Sequence, residues 1–381
     1  MKRLIYLGCV ILAVVGFLFL FEFKGNFINI SNVPNSRIEK KVSTLTELDK
    51  TQVIAISEIL LEEFQHARSL INAIIKAGSS IIILTKSPVD TANKVKWLTK
   101  YKLEDTSISA HLSLMPVVHD SYWVRDFSPI PFKFLSDTFD RYFLGDFRFR
   151  TAFKANDTVP YQMALYMNLN LIHAPVLMDG GNFISNGESC VVTSDIAEES
   201  DIGSSQQSIR KIFKDSFGCE KLFILNDTPH EHADMFIKFI DKNTLLVNMV
   251  EAPSDLLKGI SEEDLFKTYE VKRQLDKVAK YLEKYFKVVR MPMPLISNDI
   301  FRTYANSLIV NKTAIIPSYK LNKTTEQSFP DIEFLKAQEK VVEDIFRTFG
   351  YKPVFVNSDE LIAHGGSLHC VTSLLPAGLK K

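Results

Sequence analysis

Near the end of the 381-residue chain, "HGGSLHC" (364–370) places a cysteine behind a pair of glycines. The other three cysteines, Cys9, Cys190 and Cys219, share no Cys-x-x-Cys spacing and have no neighbouring His pair, so neither a zinc site nor a disulfide framework is expected. Cys9 lies in an apolar segment and Cys190 in the strand-like "ESCVVTS", where a buried, inert thiol is the ordinary state. Cys370 is therefore the candidate nucleophile. With His232 of "HEHADMF" and a carboxylate it would make a thiol, base and orienting acid of the cysteine-protease kind. That reading leaves too many acids over: Asp126 in "WVRDFSP", Asp179 in "MDGGNF" and Asp234 two residues after His232. A ring of carboxylates raises a thiol's pKa and hinders it as a nucleophile unless a cation fills the ring. A guanidinium suits the place, because it is planar, permanently charged and offers five N–H donors that carboxylates grip in pairs. Held flat between two aspartates, it would present its central carbon to sulfur. His232 could then protonate departing ammonia and activate a water against the covalent intermediate, which is a deimination.

Such convergence demands elements that bring distant segments to one place. Apolar residues recur at three- and four-residue intervals over 58–76, 205–213, 271–285 and 332–349, which predicts helices, and short apolar strands follow: "SIIILTK", "KLFIL", "KVVRMP" and "KPVFVN". Between them lie paired strand-like runs with turn residues at the tip, as in "DMFIKFIDKNTLLVNMV", "NSLIVNKTAIIPSY" and "NFISNGESCVVTS". Hairpin, helix and strand recur at roughly 60-residue intervals, which predicts a radial or propeller-like α/β fold. The polar clusters, with "YANS" (304–307) among them, stand at the start of successive hairpins and would meet on the axis of such a fold.

In this order, "WVRDFSP", "MDGGNF", "HADMF", "YANSLIVN" and "GGSLHC" resemble the successive motifs of the bacterial-type peptidylarginine deiminase and agmatine deiminase family of guanidino-group-modifying enzymes. The resemblance implies a five-bladed α/β propeller (the pentein fold) of ββαβ-type repeats. It also implies Cys370 as nucleophile, His232 as general acid and base, and Asp126 and Asp234 as guanidinium ligands, with no cofactor and no metal. Trp123 and Asn306 fall on positions that line the family's substrate pocket, and Asp179 on one often held by an acid that orients the histidine.

Two substrate classes follow from the resemblance. Agmatine deiminases convert a small guanidine to N-carbamoylputrescine, whereas the bacterial peptidylarginine deiminases act on arginine in peptides and clamp its carboxylate with an Arg-x-Arg pair. Here "GDFRFRTAFKAND" carries Arg148 and Arg150 two apart, facing the same way if the segment is a strand. C-terminal peptidyl arginine is the expected substrate, with agmatine as the alternative. A membrane-tethered arginine-peptide binding protein is a third reading, which an intact Cys370 and His232 argue against.

The balance of 45 Lys plus Arg against 45 Asp plus Glu, with no basic run, gives no reason to expect a nucleic-acid partner. The N-terminus differs from the rest. Lys2 and Arg3 precede an unbroken apolar run from Leu4 to Phe21, long enough to cross a bilayer at roughly 20 residues per span, with no small-x-small cleavage site after it. Residues 1–24 are expected to be an uncleaved signal anchor, 25–43 a linker, and 44–381 a catalytic domain outside the cytoplasm. Secretion after signal cleavage is the alternative.

Overall fold

A hairpin followed by a helix and a parallel returning strand is the unit from which the molecule is built. The computed structural model describes residues 42–50, 52–134, 141–150, 154–196, 206–251, 260–320 and 332–377. The expected anchor and the linker up to residue 41 lie outside them. Among the described residues no helix is long and apolar enough to cross a membrane. All of the described residues fall within one compact unit, Lys40–Lys381.

The unit is clearest in the second half of the chain. Ile237–Phe239 pairs antiparallel with Thr244–Met249, the helix Glu262–Leu282 crosses over, and Lys287–Pro292 returns parallel to Thr244–Met249. Leu308–Val310, Thr313–Ser318, the helix Ile332–Thr348 and Lys352–Asn357 repeat the arrangement. So do Ile184–Ser185, Ser189–Thr193, Gln206–Phe217 and Lys221–Leu225. A parallel return needs a crossover of a dozen or more residues, and the amphipathic helices supply it. In Glu262–Leu282, for example, Val271, Leu275, Val278 and Leu282 are buried, each stabilising the packing by about 1.5–3 kcal/mol relative to exposure. In a fourth sheet Ile130–Phe134, Arg141–Phe149 and Asn170–Met178 follow the pattern, and Val42–Thr44 is added at the edge. The fifth sheet joins the two ends of the fold. Ser373–Pro376 pairs antiparallel with Gln52–Ser57, which is followed in the sheet by Ile81–Thr85 and Leu112–Pro116. The fold is thus mixed α/β with five three- or four-stranded sheets among the described residues.

Two expectations fail locally. The helical pattern over 58–76 is broken into Glu58–Glu63 and Ala67–Lys76. Phe64 between them is extended and sends its ring against Tyr122 and His364, with centroids 4.8 and 5.5 Å away. Apolar periodicity runs through the break, so it hides the change of direction. The second correction concerns the cysteines. Cys190 is not an inert thiol, because it forms a disulfide with Cys219 across 29 residues, with Cα atoms 5.6 Å apart. Parallel pairing of Lys221–Leu225 on Ser189–Thr193 sets Leu222 opposite Cys190 and brings Cys219 alongside. No spacing rule in the sequence reports that register.

Each hairpin is entered through a short turn carrying one of the polar motifs. Val124–Phe127 precedes Ile130–Phe134, Gly180–Asn182 precedes Ile184–Ser185, and Ala233–Met235 precedes Ile237–Phe239. Residues 303–307 lead into Leu308–Val310, and 367–372 into Ser373–Pro376.

Candidate active site

The lead-in turns bring the predicted residues together. Cys370 is buried and is the free cysteine of the described residues. Its Sγ accepts a hydrogen bond from Asn306 Nδ2 at 3.1 Å and lies 3.7 Å from Asp234 Oδ2. Asn306, expected to line the substrate pocket, is fully buried against the thiol and braces it. Its Oδ1 accepts from the backbone N–H groups of His369 (3.0 Å) and Cys370 (3.3 Å), so one amide fixes both the thiol and the chain that carries it.

His232 sits between two acids, with Nε2 3.1 Å from Asp179 Oδ2 and Nδ1 3.6 Å from Asp126 Oδ1. Asp126 Oδ1 also accepts from the Gly181 N–H at 3.1 Å. This approach is the reason for the glycine: a Cβ on Gly181 would stand 2.7 Å from His232 Nδ1 and 2.8 Å from Asp126 Oδ1. Gly366 is required for a similar reason, since a Cβ there would strike the Trp123 ring at 2.6 Å. Trp123 is half-buried and packs on Tyr122 as well, with ring centroids 4.6 Å apart.

The electrostatics follow from burying like charges together. Burial pushes the Asp126 carboxyl up to about 7, with Asp179 and Asp234 adding repulsion that His232 partly offsets. Burial alone would lower His232, but Asp126, the hydrogen bond it donates to Asp179 and the charge of Asp234 outweigh it and lift the imidazole to about 10. The Cys370 thiol is raised well above its ordinary value by burial, then by Asp234 and Asp126. Asp234 moves the other way: burial works against its charge, and its hydrogen bond and ion pair with His369 more than compensate. Before any substrate binds, the resting site therefore holds a thiol and an imidazolium. Asp179 Oδ1 and Asp234 Oδ1 are both buried without a hydrogen-bond partner among the described residues. Buried polar atoms are nearly always paired, so these oxygens are free to accept from a bound donor.

The arginine pair is split. Arg150 lies in a bend past the end of Arg141–Phe149 and forms an ion pair with Glu231, next to His232, at 2.9 Å. Arg148 is exposed on the strand, in the electrostatic neighbourhood of His173, which pairs with Asp146 at 2.9 Å. The two side chains do not converge on one point, contrary to the same-face expectation. The strand ends at Phe149, so its alternation does not carry through to Arg150.

Several residues at the site went unassigned from sequence. His230 accepts a hydrogen bond at Nδ1 from the His232 backbone N–H (3.0 Å), and burial together with His232 lowers it to about 4. Behind the pocket, His369, Glu47 and Lys238 form a buried ionic cluster. Among the described residues no group of His, Cys, Asp and Glu has the arrangement of a metal site.

A fold of repeated hairpin–helix–strand units with a buried thiol among aspartates is that of the pentein deiminases. The solved C. jejuni agmatine deiminase superposes with a TM-score of 0.66 over 89% of this chain and 97% of its own, at 19% identity. A structure described as a putative arginine deiminase from Porphyromonas gingivalis gives 0.67 over 88% and 98%, at 18% identity. This chain belongs to the Porphyromonas-type peptidyl-arginine deiminase family, whose model matches residues 51–376. It is 21% identical over 254 residues to a protein named "Putative agmatine deiminase" from Marinomonas sp., covering 59% of this chain. The chain spans 63% and 64% of the length of the first two curated relatives it matches.

Proposed function

We propose that this protein hydrolyses the guanidino group of a C-terminal peptidyl arginine to a ureido group, giving citrulline and ammonia. The observation that carries the reading is a free buried thiol with Asp234 Oδ2 3.7 Å from its sulfur and with His232 held nearby between Asp126 and Asp179. In this reading the five sheets are the blades of a pentein propeller, and the five lead-in turns supply its axial site. A guanidinium gripped by Asp126 and Asp234 cancels the repulsion that holds the thiol neutral, so Cys370 gives up its proton to solvent when substrate is bound. The thiolate adds to the guanidinium carbon, a C–N bond breaks, and the His232 imidazolium protonates the departing ammonia. The now neutral imidazole takes a proton from water, hydroxide adds to the thiouronium carbon, and the C–S bond breaks to release the ureido product. Asp179 keeps His232 oriented through both steps. A ureido-product assay with agmatine, free arginine, and peptides with internal or C-terminal arginine tests the reading. Turnover of agmatine alone would favour the activity named for the relatives, and no product from any guanidine would favour a binding protein.

Arg150 is the residue that selects a carboxylate. Its partner Glu231 is well exposed, so their ion pair is worth only ~0–1 kcal/mol and a substrate carboxylate can replace it. Arg150→Ala is expected to lower kcat/KM on a peptide ending in free arginine by roughly ten- to hundredfold, the worth of one charge-assisted contact. The matched C-terminal amide should react slowly with the unaltered protein and be indifferent to the substitution. Arg148→Ala should leave both substrates nearly unaffected. Equal rates on acid and amide with the unaltered protein would remove the clamp.

The catalytic domain is proposed to lie outside the cytoplasm, tethered by residues 1–24. The buried Cys190–Cys219 disulfide supports this placement, because such bonds persist in oxidising compartments. The full-length protein should fractionate with membranes with both of these cysteines blocked to alkylation. Recovery from the cytosol with two reactive thiols would refute the placement.

A further inference from the structure

The site rests on a row of charges that the chemistry above does not use. His369 is buried with both ring nitrogens against carboxylates: Nδ1 lies 2.6 Å from Asp234 Oδ2, and Nε2 lies 3.0 Å from Glu47 Oε1. Glu47 is itself 2.5 Å from the buried Lys238 ammonium, and its Oε2 accepts the Ile309 N–H at 3.0 Å. Arg125, whose Nε donates to the His369 carbonyl at 3.4 Å, lies within electrostatic reach of both Glu47 and Asp234. Signs therefore alternate from Lys238 through Glu47 and His369 to Asp234, which faces the thiol.

We propose that His369 is a positioning residue, held as an imidazolium between Glu47 and Asp234, and that the Lys238–Glu47 pair behind it keeps Asp234 ionised and aimed at the guanidinium. The inference rests on the deiminase reading for its kinetic consequences, though not for the charge on His369. A neutral imidazole has one N–H and could satisfy only one of the two carboxylates; an imidazolium donates to both. An isolated buried carboxylate takes up a proton, and a protonated Asp234 would lose its grip on a cation. Asp126 and Cys370 share the pocket and oppose the charge on Asp234, while His232 and Arg125 assist it. Lys238 and Glu47 neutralise one another, so the row feeds one net positive charge to the floor of an acidic pocket.

The test uses His369→Gln, Glu47→Gln and the double variant Glu47→Gln/Lys238→Met, which removes the buried pair together and leaves no uncompensated ion. Each should raise KM for the guanidine substrate about tenfold and move the acid limb of kcat/KM up by about one pH unit, with kcat changed less than KM. A fall in kcat with the pH profile unmoved would reduce His369 to packing and overturn the proposal. Should the variants fail to fold, imidazole 15N spectra of the unaltered protein decide, with two ring N–H protons on His369 at neutral pH supporting the row and one refuting it. The spectra are informative even if the unaltered protein deiminates nothing, an outcome that would defeat the functional reading alone.

Discussion

Cys370→Ser should lose turnover by about four orders of magnitude or more while still binding its guanidine. A hydroxyl is a far poorer nucleophile than a thiolate and has no comparably accessible anion at neutral pH. The thiol itself is already held protonated by burial, Asp234 and Asp126, so it depends on the bound cation to ionise. Serine ionises far less readily, and the same cation cannot make up the difference. Asp126, Asp234 and Asp179 keep their places, because Asn306 braces position 370 through the backbone as well as through sulfur. Calorimetric titration with agmatine or an arginine peptide should therefore give affinity near that of the unaltered protein. Residual activity above about one part in a hundred would rule out a covalent thiouronium.

The second large effect is expected at His232. Its removal should slow overall turnover by roughly 10²–10⁴, the ordinary worth of a positioned acid and base. The imidazole is lifted to about 10, so at neutral pH it stands ready to donate. It can act as a base only after passing that proton to ammonia. His232→Ala should consequently be most impaired in hydrolysing the intermediate, and intact-protein mass spectrometry should find Cys370 carrying substrate less ammonia. Steady turnover at the unaltered rate, with no adduct, would exclude His232 from both roles.

The candidate residues could be named from sequence because they stand in the lead-in turns, His232 and Asp234 sharing one, and those turns carry local composition that hairpins require. Cys370, His232, Asp126, Asp179 and Asp234 could be named without knowing a single distance. What could not be read is whatever depends on register between segments remote in sequence. The disulfide needed the parallel alignment of Cys190 with Leu222. The ionic row needed Glu47, just ahead of Gln52–Ser57, to meet His369, just ahead of Ser373–Pro376 more than 300 residues later. Asn306 was expected to line the substrate pocket, and its hydrogen bonds to the thiol and to the 369–370 backbone were not readable from sequence. The arginine pair is divided by a strand end, which alternation counting assumes away.

The pairing of Ser373–Pro376 with Gln52–Ser57 sets a clock on the molecule. As the chain is made, the first sheet waits with one edge unpaired until the final strand emerges, and an open apolar edge is the part of a sheet most prone to join the wrong neighbour. Few contacts in the fold span so much sequence, and pairings of that kind form slowly because a long loop must close first. Cys370 lies just ahead of the closing strand, so the same event that seals the edge brings the proposed nucleophile to the acids and His232. In the proposed mechanism, a nascent chain would therefore stay chemically inert until Ser373–Pro376 pairs with Gln52–Ser57.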